Sequence, residues 1–435
     1  MRGTGQRGAG RARTAALLAA LLLGGGCSSP SPPQPSLRGA GLIVVAGWSG
    51  IERARFQTVL HGFETRTGAR VQYVSSAGQY LPDRLAALAA RGLRPDVVLL
   101  SEPGLLQQFA RTHQLVALDD RTRAVVAEDY PVGWRSLATV DGREYGVWFK
   151  AANKSLIWYD VASLERIGYA PADSLPGLVR LAAALKASGQ TPFSLGAGDG
   201  WVLTDWFENV YLRRAGPNRY DALATHRIPW TDASVGDALR WLRRLLAPAY
   251  LLGGPAGALR TSFPASVTNA FRSPARAAMV MEGDFVGGFL PAGPGDPPGT
   301  GIDVFPFPGT YGGLPVVVGG GDVAVRMTSR RGAADLLRYL ATPGAAASWA
   351  RRGGFVSPNL ALDLTVYRDP VSRAAARQLV EAGSGFRFDL SDLQPAAFGA
   401  RPDAGMQGAL RRFLLDGDVP AAQQALEASA VAAYR

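Results

Sequence analysis

Between Gly41 and Leu100 the sequence alternates in a way that favours one kind of sheet. GLIVVAG reads as a buried strand, after which Phe56, Val59, Leu60 and Phe63 recur at helical spacing until Gly68 stops the helix. VQYVS is strand-like, residues 81–91 give a short helix with Pro82 near its start, and the run Pro95-Asp96-Val97-Val98-Leu99-Leu100 is apolar enough for a core strand. This β-α-β-α-β order predicts an α/β protein built on a mostly parallel sheet. At 435 residues the chain is longer than one core comfortably serves, since single cores stop growing near roughly 250–300 residues, so two lobes are expected. Further on, Asp232 or Ser234 can cap a helix carrying Val235, Leu239, Leu242 and Leu246 on its apolar face. One helix closes at Leu336, Leu337 and Leu340, and Thr342-Pro343 opens the next. PAGPGDPPGTG (291–301) reads as a surface loop, DVFPFPGTYGGLPVVVGGGDVAVRM as strands separated by turns, and the C-terminal hundred residues return to helix.

The first residues set the compartment. Arg2, Arg7, Arg11 and Arg13 precede an uncharged run of Ala, Leu and Gly that ends at Cys27, the shape of a signal peptide over residues 1–26. That run is short for a membrane span of about 20 residues, and the Pro-rich SSPSPPQPS after it reads as a polar tether over residues 27–40. Cys27 is the single cysteine and resembles the lipobox cysteine of bacterial lipoproteins, although Gly24 stands three residues before it where Leu is usual. The resemblance implies a lipid-anchored, extracytoplasmic protein; plain secretion is the alternative. Without the signal the net charge falls from +11 to +7, and no disulfide can form in the mature chain. Apart from Lys150, Lys154 and Lys186 the basic residues are all arginine, and they are scattered, so a nucleic-acid partner is not expected.

Several enzyme classes lack their groups. Three histidines, His61, His113 and His226, with no HExxH and no cysteine pair, argue against a metal site or a zinc enzyme. GWSGI lacks the G-x-S-x-G spacing, and no Walker A lysine motif is present. Carboxylate pairs suited to glycoside hydrolysis exist, but nothing marks one pair as catalytic. No catalytic residue and no cofactor are assigned.

Six segments in order, PDVVLLSEPGLLQQFA (95–110), EYGVWFKAANKSLIWYD (144–160), GDGWVLTDWFENVYLR (198–213), MVMEGDFVGGF (279–289), GGGDVAV (319–325) and GGFVSPN (353–359), resemble the sugar-binding family of bacterial solute-binding proteins, especially alpha-glucoside members. The resemblance spans residues 41–435. It implies two α/β lobes joined by crossing strands with the ligand between them, one lobe taking residues 41–147 plus 300–340 and the other 148–299 plus 341–435. It also implies a monomeric ABC-importer receptor that hands its ligand to a membrane permease.

A pyranose offers apolar faces and a rim of hydroxyls, so its site needs aromatic platforms beside hydrogen-bonding carboxylates or amides. Trp48 and Ser49 follow the first strand, where open α/β sheets place ligands. Trp201 lies between Asp199 and Asp205 in a Gly-rich loop and is read as platform or core, and Asp199 as ligand carboxylate or turn former. Glu102, Lys150, Glu282 and Asp284 are charged groups where the family lines its cleft, each with a cap or ion pair as the alternative. Phe285 stands near where many members carry Trp. Gly319, Gly320 and Gly321 allow close approach of ligand to backbone or make a flexible connection, and Phe355 is a candidate closing aromatic. Asp199 and Asp322 in the Gly-rich segments disfavour phosphate. The expected ligand is a neutral alpha-glucoside di- or oligosaccharide, with a polyol or glycerophosphodiester receptor, or a secreted glycoside hydrolase, as alternatives.

Overall fold

The computed structural model describes residues 37–290 and 300–435. Among the described residues eleven strands form three sheets: β1 (Gly41–Ala46), β2 (Arg70–Ser75), β3 (Val97–Leu100), β4 (Thr139–Val140), β5 (Arg143–Glu144), β6 (Gly146–Asn153), β7 (Leu156–Asp160), β8 (Met279–Met281), β9 (Ile302–Pro306), β10 (Val317–Arg326) and β11 (Phe386–Phe388). The alternation at the start folds as expected. β1 pairs in parallel with β2 and β3, and the helix Gly50–Thr67 between β1 and β2 buries Phe56, Val59, Leu60 and Phe63. That helix stops at Gly68, whose φ of 74° closes it with a left-handed cap. The Leu81–Ala89 helix ends two residues earlier than expected, Asp232 caps the helix Ala233–Leu245, and Thr342 caps Pro343–Ala350.

The main sheet is mixed rather than mostly parallel. β10 runs antiparallel to β3 at Val323–Arg326, antiparallel to β6 over Gly319–Val325, and parallel to β11 at Val317–Gly319. Gly319–Gly321 therefore lie within a strand, which sets aside the flexible-connection alternative for them. β11 is a strand inside the C-terminal helical region, too short to announce itself in the sequence.

A second sheet places β7 between β8 and β9, both antiparallel to it. Every residue of β6 is buried, and β6 passes into β7 through only Lys154 and Ser155, so the chain changes sheet at that joint. The helical stretch Trp201–Ala224, kinked at Gly216, braces the joint with Asp205, Glu208, Asn209 and Arg213, spaced to share one helical face. Ser155 Oγ lies 2.6 Å from Asn209 Oδ1, and Asn209 Nδ2 donates to the Lys154 carbonyl at 2.9 Å. Arg213 donates to the carbonyls of Phe307 and Val316, on the segment that leads from β9 back to β10. Burial lowers the Arg213 pKa to about 9, and these carbonyls satisfy its donors. Among the described residues no helix is long and apolar enough to cross a membrane.

Candidate functional site

Two lysines four residues apart project from β6 and the joint, and each collects carboxylates. Lys154 Nζ lies 2.5 Å from Asp389 Oδ2, 3.2 Å from Asp205 Oδ1 and 4.0 Å from Asp392 Oδ2, with the Trp201 ring centroid 5.6 Å away. Burial opposes the ammonium charge, but Asp205 and Asp389 outweigh it and hold the Lys154 pKa well above its usual value. Burial likewise pushes Asp389 up, and Lys154 overcomes this to leave it at about 2. Asp205, Glu208, Glu282 and Asp392 are driven well above the carboxylate range, chiefly by burial. Glu208 spends its oxygens on the N–H groups of Leu390 and Ser391 and on the Tyr220 hydroxyl. Asp205 Oδ2 and both Glu282 oxygens have no hydrogen-bond partner among the described residues. Oxygens of Asp205, Glu208 and Asp389 converge to within 4.8 Å, close enough for a metal ion, and the cation seated against two of them is the Lys154 ammonium.

Lys150 Nζ lies 2.7 Å from Glu52 Oε1, inside a cage formed by the rings of Trp349, Phe285 and Trp48 at 5.3, 5.5 and 5.8 Å. Burial lowers its pKa, but Glu52 and Asp322 more than compensate. Asp284 Oδ1 accepts the Asn153 N–H at 2.6 Å, which ties the turn after β8 to the end of β6. Burial pushes Asp284 up to about 7 and Asp322 up to about 6, against the pull of Lys150.

Beside these clusters lies a cavity of about 240 Å³. Its walls are the loop Ser76–Leu81 after β2, Ser101 and Glu102 after β3, Asp322 of β10, Trp201 and Ala400. Glu102 Oε2 accepts the Ser101 N–H at 3.1 Å and gives no side-chain cap to the helix Pro103–Arg111; burial raises its pKa. Trp201 is half-buried, edge-on to Phe285 at 6.0 Å and tilted against Phe263 at 5.4 Å. No lysine or arginine is among the lining residues.

Of the residues expected from sequence, Glu102, Trp201 and Asp322 meet at the cavity, while Lys150, Asp205, Glu282 and Asp284 gather at the joint behind it. Trp48 and Phe355 are corrections. Trp48 is 5% exposed, packed 4.7 Å from Phe56 and 4.9 Å from Trp349, and Phe355 is 0% exposed against Trp349 and Phe149, so neither offers a face to a ligand. Ser49 is exposed at the start of the helix Gly50–Thr67, with no side-chain cap bond. Asp199 is exposed and its Oδ2 accepts the Phe263 N–H at 2.7 Å, the local bracing role of its two alternatives. At Gly320 a Cβ would lie 2.9 Å from Cε of Lys154, so the missing side chain admits the lysine stem rather than a ligand. Cys27 lies outside the described residues, as does most of the 291–301 loop.

Sequence reasoning passed over Lys154, Glu208, Asp389, Asp392, Glu52, Gln79 and Tyr80. Two signals were present. Two of only three lysines in an arginine-rich chain sit four residues apart, inside one otherwise mostly apolar segment. Asp205, Glu208, Asn209 and Arg213 put a polar stripe on a helix whose first three turns are otherwise mostly apolar, which calls for a buried polar partner. Asp389 and Asp392 carried no such pattern.

The chain is similar to the osmoprotective compounds-binding protein GgtB of Synechocystis sp., with 33% identity over 360 residues covering 80% of this chain and 83% of the relative. It is also similar to the alpha-glucosides-binding periplasmic protein AglE of Rhizobium meliloti, with 30% identity over 382 residues covering 84% of this chain and 82% of that one. Among solved structures, a chitin oligosaccharide binding protein superposes with a TM-score of 0.76 at 17% identity, covering 91% of this chain and 99% of that one. The bacterial solute receptor AcbH, described as exclusively preferring b-D-galactopyranose, gives 0.75 at 18% identity, covering 91% and 100%. These likenesses establish the two-lobed periplasmic-binding-protein fold. Residues 48–347 match the family model of bacterial extracellular solute-binding proteins, and the chain is a member of that family.

Proposed function

We propose that this receptor is the substrate-binding lipoprotein of an ABC transporter and takes a neutral alpha-glucoside between its lobes for delivery to a membrane permease. The lobes in this reading are residues 41–147 plus 300–340 and residues 148–299 plus 341–435, with Cys27 carrying the lipid anchor. The observation that carries it is the cavity wall, where Trp201 supplies an aromatic face, Glu102 and Asp322 supply carboxyl groups, and no lysine or arginine is among the lining residues. Carboxyl groups suit this role because their oxygens accept hydrogen bonds from sugar hydroxyls. The volume is below the roughly 300–1,000 Å³ of sites for drug-sized ligands, which favours one or two rings over a long chain. The alpha-glucosides named for the Rhizobium meliloti relative support the same ligand class.

Closure follows from differential binding. Ligand seated on one lobe gains further contacts only when the other rotates onto it, so it draws the population toward the closed form. Joint residues Lys154 and Ser155 are where that rotation has least chain to bend. A thermal-shift screen against maltose, trehalose, sucrose, polyols and glycerophosphodiesters, followed by calorimetry, tests the reading. A rise in melting temperature with an alpha-glucoside that is recovered unhydrolysed supports it. Response to a phosphodiester alone, or cleavage of the sugar, overturns it.

A further inference from the structure

Gly104 is the second residue of the helix Pro103–Arg111, two positions after Glu102 at the cavity wall. Its φ is outside the left-handed region, so the backbone there does not ask for glycine, and alanine is the better helix former. What excludes a side chain is proximity. A Cβ at 104 would lie 2.0 Å from the carbonyl oxygen of Gln394, 2.9 Å from its carbonyl carbon and 3.3 Å from the carbonyl oxygen of Leu393. These are backbone atoms and cannot swing aside like a flexible side chain.

The segment presenting that carbonyl is fastened to the other side of the cleft. Leu390 and Ser391 donate their N–H groups to Glu208, Ser391 Oγ is 3.2 Å from Thr204 Oγ1, and Gln394 Oε1 accepts the Tyr434 hydroxyl at 2.7 Å. Gln394 Nε2 reaches the Leu223 carbonyl at 3.4 Å. Anchoring comes mostly from the helix Trp201–Ala224 and the C-terminal helix, with the start of the segment also held to β10 by β11 and by the Asp389 N–H on the Gly319 carbonyl, and Gly104 receives the Gln394 carbonyl. Further along the same segment, the Arg401 guanidinium lies 5.5 Å from the ring centroid of Tyr80, and Tyr80 and Ala400 both line the cavity. One segment therefore touches the opposite wall at two places that flank the ligand space.

The geometry points to Gln394–Arg401 as a clasp that engages when the lobes shut, with the empty side-chain position of Gly104 as its seat and the Tyr80 ring as its second catch. Gly104 is a positioning residue, which sets how closely the walls approach. The inference rests on the two-lobe receptor reading and adds to it the contact that holds the closed form.

The test compares Gly104→Ala and Arg401→Gln with the unaltered mature chain, using ligand-free melting and maltose titration by calorimetry. In the open form the seat is vacant, so Gly104→Ala leaves the ligand-free melting temperature unchanged or slightly raised. Closure then meets a methyl group against backbone, which weakens maltose binding roughly ten- to hundredfold. Arg401→Gln weakens it by a smaller factor, mainly through faster dissociation. A marked fall in the ligand-free melting temperature of Gly104→Ala means the contact is permanent packing and overturns the clasp, as does unaltered maltose affinity in that variant. If the unaltered chain responds to another alpha-glucoside of the screen but not to maltose, that sugar replaces maltose in the titration; if it responds to none, the alpha-glucoside reading fails, and the ligand-free melting comparison alone decides the clasp, an unchanged value supporting it.

Discussion

Replacing Lys154 by methionine removes the one cation from the carboxylate cluster while keeping the stem that fills the space over Gly320. The ammonium is 12% exposed and its partners Asp205 and Asp389 are 0% and 1% exposed, so water cannot take its place. At an effective dielectric of about 20, a unit pair at the 2.5 Å Asp389 distance is worth about 7 kcal/mol before desolvation. Breaking a buried pair from one side typically costs about 3–5 kcal/mol, because the surviving charge is left buried. With about 2–4 °C lost per kcal/mol in domains of some 200 residues, the melting temperature at pH 7.5 should drop by roughly 10 °C. The loss should shrink toward pH 5, because Asp389, freed from the lysine that holds it at about 2, can then take up a proton. Melting followed by circular dichroism at both pH values reads this directly. A drop of under about 2 °C, or one independent of pH, would refute the claim that Lys154 neutralises the cluster.

Other predictions concern pH, the cavity and the anchor. Asp284 and Asp322 hold protons more tightly folded than unfolded, so their stabilising contribution is complete below about pH 4 and is lost as pH rises through about 6 and 7. Asp284→Asn, which keeps an acceptor for the Asn153 N–H, should raise the melting temperature at pH 8 and flatten its decline from pH 5; an unchanged slope would count against this assignment. Trp201→Ala should weaken alpha-glucoside binding about tenfold with a modest loss of stability from its Phe263 and Phe285 contacts, whereas Trp48→Ala should cost about 3–5 kcal/mol of stability. Calorimetry and urea unfolding separate the two, and equal effects on affinity at equal stability would contradict the core placement of Trp48. Cys27→Ser should release the protein from membranes into the soluble fraction and abolish labelling by a radioactive fatty acid; retained label would exclude this anchor.

Legibility followed the range of the forces. Local patterns, such as the helix that ends at Gly68 and the buried strands at 41–46 and 97–100, were plain because periodicity and caps act within a few residues. The mixed pairing of β10 was not, since Val323 meets Leu100 and Asp322 meets Lys150 across long separations that no single-chain pattern records. Of the expected site residues, Glu102, Trp201 and Asp322 line the cavity because each follows or interrupts a core element at its cleft end. Trp48 and Phe355 were misread because an aromatic after a strand serves a core as well as a platform. Lys154, Asp389 and Asp392 depend on a fold that brings residues more than two hundred positions apart to one point, and only the rarity of lysine hinted at them.

That rarity has a chemical consequence. Lys150 and Lys154 are sequestered in ion pairs, whereas Lys186 stands exposed near the end of the helix Leu175–Ala187. An acylating reagent offered to the folded receptor therefore finds Lys186 as the single accessible lysine amine. Attachment to a sensor surface through that amine would give molecules of uniform orientation, and the slow appearance of a second acyl group at Lys154 would clock how often the joint opens to solvent.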